Sequence, residues 1–206
     1  MRALRCTVMV VATLLTTAGC AGHKTIKPED RAAIETVSVA PTVKVPNQPM
    51  VYGSEASLLL FGAVGGAMAA DVEKTNGQNF SEFLRVSGID VGQIVREQFT
   101  ETLKSHPFYG SRVSPDGSCR LVLEVRSYGI NKTNTFSANW VPNVHIHYQL
   151  LSPDGKVLAE DWAMTGMFSD LPSFTTEEMH ANPQMLKQAF EKTASTVSAK
   201  LVKRME

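Results

Sequence analysis

His145 and His147 flank Ile146, and on a strand both imidazoles would project from one face. Two histidines so placed could begin a metal site, with Asp161 on a partner strand as a third ligand. Zinc requires three or four such groups, and no other spacing nominates the rest; the competing reading is a half-exposed sheet face. Cys119 opens an apolar run and reads as a buried, inert thiol. His180 is isolated near a helix start and reads as surface. The paired acids Glu177-Glu178 and Glu160-Asp161 are explained by a helix first turn and a strand surface. No serine stands in a G-x-S-x-G context, and Gly62, Gly65 and Gly66 do not form a dinucleotide fingerprint. The residues offer no catalytic constellation, so neither an enzyme nor a cofactor is expected.

Charge and length narrow the classes further. Lys+Arg 20 balances Asp+Glu 20, without the clustered cations of a nucleic-acid footprint. The length suits one domain and allows a core that needs no metal or disulfide staple.

The N-terminus is more specific. Arg2 and Arg5 precede an apolar run from Cys6 to Leu15, and Thr16-Thr17-Ala18-Gly19 leads into Cys20. The run is shorter than the roughly 20 residues a bilayer requires, and the small residues suit a peptidase cut. Ala18-Gly19-Cys20 resembles the lipobox of bacterial lipoproteins, although Thr17 stands where that family prefers Leu. The resemblance implies a removed signal over 1–19, a diacylglycerol thioether on Cys20 and, with Ala21 and Gly22 following, the periplasmic face of the outer membrane. The alternative is an ordinary secretory signal cut after Gly19 or Ala21. With Cys6 removed and Cys20 acylated, Cys119 is left without a partner for an internal disulfide.

Residues 20–33 are polar after Cys20 and read as a lipidated flexible tether, with a single domain over 34–206. Ile34 to Val45 suggests a first strand, placed at an edge by Pro41 and Pro46. Glu73 to Gln78 reads as a turn. Asp90 is an N-cap for a helix with Val91, Ile94, Val95, Phe99 and Leu103 on one stripe, ended by His106-Pro107. Strands follow at Leu121–Tyr128 and Val144–Leu151; Ser152-Pro153-Asp154-Gly155 then turns into Val157–Thr165, with Leu158, Trp162 and Met164 assigned to one face. Asn182 caps a last helix whose stripe is Leu186, Phe190, Val197 and Leu201. The expected fold is α+β: a two-layer β-α-β-β-β-α order, mostly antiparallel, with the helices on one face.

Between the first strand and the first helix lies Ala56 to Ala70, without a charge. Leu58, Leu59, Leu60 and Phe61 are its bulky part, and Gly62-x-x-x-Gly66 fits a small-xxx-small pattern. It is a candidate interaction segment, either partner-docking, oligomerising or membrane-touching, with tight packing on the sheet as the competing reading. The order of elements is similar in plan to auxiliary lipoproteins of lipid-transporting ABC systems and to small α/β domains of curli-secretion and Tol systems. That resemblance implies a non-enzymatic accessory in envelope assembly or transport, acting through an envelope protein partner and anchored to the membrane by Cys20. A lipid or small apolar ligand binder using residues 56–70 is the alternative. Nucleic acid is not an expected partner.

Overall fold

The computed structural model describes residues 23–52, 72–134, 137–166 and 170–205. Along the chain these form α1 (Pro28–Arg31), β1 (Val37–Val39), β2 (Met50–Tyr52), α2 (Val72–Val86), α3 (Val91–Ser105), β3 (Cys119–Lys132), β4 (Trp140–Leu151), β5 (Val157–Met164), α4 (Thr176–Ala181) and α5 (Pro183–Arg204). The class is α+β. The five-stranded sheet has the order β1-β3-β4-β5, with β2 also on β3.

The sheet is mixed, which corrects the expectation of a mostly antiparallel one. Strands β3, β4 and β5 are antiparallel neighbours, but β1 and β2 both run parallel to β3. The reason is length. Strand β3 has 14 residues, enough for two three-residue strands to lie end to end on one edge, Val37 opposite Cys119 and Val51 opposite Ile130. Lys44 joins them midway, accepting from the Val125 N–H. Prolines at 41, 46 and 49 keep the outer side of this segment from extending as a strand. Gly129 permits β2 to approach: its φ is +157° and an added Cβ would lie 1.7 Å from the Met50 carbonyl oxygen.

Helix α3 begins where Asp90 accepts from the Gln93 N–H at 2.9 Å, and it buries Val91, Ile94, Val95, Phe99 and Leu103. The Gln93 side chain turns outward to Glu97 instead of closing the box. Helix α5 starts from the Asn182 cap with Pro183 in its first turn and buries Leu186, Phe190, Val197 and Leu201. It packs on β4, on β5 and on α3, which in turn contacts β3; one layer of helices thus covers one sheet face. The turn expected at Glu73–Gln78 is instead the first part of helix α2. Phe80, Phe83 and Leu84 supply its buried stripe at helical spacing. Gly77 fits because a side chain there would strike Gln48 and the Pro49 carbonyl.

The segment expected to be a tether is docked from His23 onward. The Lys24 backbone exchanges hydrogen bonds with Glu160 on the free edge of β5, at 2.7 and 2.9 Å. Ile26 is buried, Asp30 pairs with Lys156 at 2.9 Å, and the Arg31 guanidinium lies over the Phe108 ring. These contacts bury a single isoleucine but satisfy an edge strand, which polarity alone does not reveal.

Candidate functional site

Register decides which side chains meet. Glu124, His147 and Trp162 are direct neighbours across β3, β4 and β5, as are Gln149 and Glu160 on β4 and β5. All project from the face without helices. His147 is buried between two carboxylates: its Nε2 lies 2.8 Å from Glu160 Oε1 and its Nδ1 3.4 Å from Glu124 Oε2. Gln149 also donates to Glu160, and Lys44 donates to Glu124 at 2.7 Å. The Lys44 ammonium holds the Glu124 carboxyl below its usual range. His147 thus bridges two acids through opposite ring nitrogens, a geometry that orients an imidazole and cross-links strands. Among the described residues, no three His, Cys, Asp or Glu side chains stand together as a metal set.

His145 shares this face with His147, as the spacing predicts, and packs edge-on to Trp162 with ring centroids 5.0 Å apart. Its Nε2 is buried without a hydrogen-bond partner. Burial, then the Arg126 and His147 charges, depress its pKa, opposed by Glu124. Protonation is therefore easier in the unfolded chain. The sign follows: stability falls as pH drops through the ordinary histidine range near about 6.5, and the loss levels off below the depressed folded value. His145→Phe keeps the ring stack and should flatten the dependence of the urea midpoint on pH across that window. An unchanged slope would count against a role for His145.

Asp161 is on the opposite face, which corrects its placement with the two histidines. It pairs with Tyr148 in register, and both side chains point under the helices. The register shift between Leu150 and Leu151 places Leu158 and Ala159 both inward, after which Asp161 and Ala163 are the buried positions. Trp162 and Met164, assigned from sequence to the same face as Leu158, are instead 40% and 52% exposed.

Asp161 is only 3% exposed. Its Oδ1 accepts from the Trp162 N–H at 2.8 Å, while Oδ2 lies 3.0 Å from Arg204 Nε and 3.2 Å from His23 Nδ1. Arg204 Nη2 donates to the Trp162 carbonyl at 2.9 Å. Burial, and then the Asp161 charge, push the Tyr148 hydroxyl far above its usual pKa, so it is a neutral phenol. The end of α5, the edge of β5 and the first described residue of the chain therefore meet at one point. They enclose a groove of ≈ 440 Å³ lined by His23, Asp161, Trp162, Ala163, Met164, Lys200 and Arg204. Sequence reasoning missed this junction. The sequence places Asp161 with the two histidines, and only the register shift turns it under the helices toward Arg204.

The remaining candidates divide simply. Cys20 lies outside the described residues, as do Leu58, Leu59, Leu60, Phe61, Gly62 and Gly66. Cys119 is fully buried at the start of β3, and burial raises its thiol pKa. His180 is exposed and packs edge-on to Phe83. Glu177 and Glu178 occupy the first turn of α4, where Glu178 and Thr175 form a capping box.

No family model matches the chain, and no curated protein does. Solved structures similar to it include a Xanthomonas campestris protein of family DUF330, at 11% identity and TM-score 0.43, covering 87% of each chain. The PelC dodecamer of Paraburkholderia phytofirmans is similar at 13% identity and TM-score 0.38, covering 84% of this chain and 88% of the other. A minor lipoprotein of Acinetobacter baumannii is similar at 10% identity and TM-score 0.35, covering 82% and 92%. Likeness at this level carries no conclusion about activity.

Proposed function

We propose that the protein is a lipoprotein held at the periplasmic face of the outer membrane by acylated Cys20. There it serves as a non-enzymatic accessory in envelope assembly or transport, through contacts with another envelope protein. The observation that supports the reading is Ala18-Gly19-Cys20 at the end of the apolar run Cys6–Leu15. No helix among the described residues is long and apolar enough to cross a membrane. Cys20→Ser should move the protein from the membrane fraction to the soluble fraction and remove the acyl mass from the mature N-terminus. Unchanged membrane association would overturn the anchor. Crosslinking with the tagged, acylated protein should recover a stoichiometric envelope partner, whereas a lipid retained in native mass spectrometry would favour a carrier instead.

A further inference from the structure

The groove beside Asp161 combines exposed apolar side chains with cationic ones. Trp162 and Met164 are two of the five exposed large hydrophobic side chains among the described residues. Lys200 lines the same groove, and Lys203 and Arg204 follow it by three and four residues on α5, hence on one helix face. Lys200 and Lys203 are exposed. The acids alongside are engaged: Asp161 with Arg204 and His23, Glu160 with His147. In a chain of balanced charge, this corner is locally cationic with an aromatic rim.

The path of the chain leads to the same corner. Lys24 is fixed to Glu160 by two backbone hydrogen bonds, and Cys20 precedes it by four residues. Four residues fully extended span at most about 14 Å. An acyl group on Cys20 must therefore enter the bilayer within that distance of the β5 edge. A tryptophan with Lys200 lining the same groove, and Lys203 following on the same helix face, suits the headgroup layer, where the ring finds an apolar environment and the ammonium groups meet lipid phosphate.

Resting on the lipoprotein reading above, we propose that the β5 edge and the end of α5 form a membrane-docking surface. Trp162 and Met164 enter the headgroup region of a bilayer containing anionic phospholipid, and Lys200 and Lys203 pair with its phosphates. The domain is then held in one orientation by two attachments, the Cys20 lipid and this surface. Strands β1 and β2 lie at the other edge of the sheet.

The chain carries its own reporter, because Trp140 is buried at 1% exposure while Trp162 is 40% exposed. Acylated protein is reconstituted in vesicles of phosphatidylethanolamine and phosphatidylglycerol. Emission should shift to the blue, brominated acyl chains should quench it, and aqueous acrylamide should lose access. Trp162→Phe should abolish all three changes. Lys200→Ser with Lys203→Ser should weaken docking by roughly fivefold for each lysine, read as restored acrylamide access. Full protection in that double variant would overturn the electrostatic pairing. If the protein floats with the vesicles through Cys20 while Trp162 stays open to acrylamide, the surface is refuted and the anchor stands. If protein with Cys20 intact carries no acyl group, both readings fall.

Discussion

Gly129→Ala should be among the most damaging single changes in the domain, lowering its stability by about 4 kcal/mol. Two costs coincide there. The backbone φ of +157° is one that side chains rarely adopt, worth about 1–3 kcal/mol. The new Cβ would also sit 1.7 Å from the Met50 carbonyl oxygen and 2.6 Å from its carbon, and overpacking of this kind costs about 1–3 kcal/mol more. Because the obstacle is backbone, no side chain can rotate away; β2 must leave β3. For a domain of this size the melting temperature should fall by roughly 8–16 °C. Hydrogen exchange should localise the loss to Met50–Tyr52 and its partners at Gly129–Asn131. A variant that melts like the parent would refute the account.

Arg204→Met should destabilise by about 3 kcal/mol, at the lower end for breaking a buried ion pair because the arginine side chain is itself 38% exposed. The damage comes from what remains: among the described residues, the Asp161 carboxylate, 4% exposed by side chain, keeps the half-exposed His23 and the Trp162 N–H. Asp161→Asn should be milder, near about 1 kcal/mol. The amide can still accept from Trp162, and Arg204 can still donate to the Trp162 carbonyl or turn to water. Combining the two substitutions should recover much of what Arg204→Met loses, since no buried charge is then stranded. Urea unfolding of the three variants forms a double-mutant cycle. Equal costs for the two single variants, with simple addition in the double, would refute the pairing.

The α3 and α5 stripes and the β4–β5 hairpin were legible in the sequence because each rests on local chemistry: a cap, a period, a turn glycine. Their buried residues are those the spacing marks. Contacts between distant parts of the chain were not legible. The expected first strand over Ile34–Val45 contains β1, but the parallel pairing of β1, and strand β2 altogether, depend on a strand about 80 residues later. Helix α2 hid behind Asn76 and Gly77, poor helix formers; Gly77 is tolerated because Gln48 and the Pro49 carbonyl lie against it. The first half of β4 hid behind Pro142, which is accepted because β5 has already ended opposite it. At the candidate site, the shared face of the two histidines follows from strict alternation. The separation of Asp161 from them depends on one irregular step at Leu150–Leu151, and no residue type announces it.

The way the N-terminal segment threads along the sheet also bears on timing. Lys24 pairs with Glu160, Val37 with Cys119 and Val51 with Ile130. Each early residue waits for a partner made much later. A ribosome releases this chain from its first residue onward, so the segment carrying Lys24 to Tyr52 emerges with nothing to pair against. The β3–β4–β5 meander, built from neighbours in sequence, can form by itself once it has emerged; only then can the leading segment close along β3 and over β5. Assembly thus runs opposite to synthesis. During that interval Lys24 to Tyr52 lack the strand partners that hold them in the finished fold.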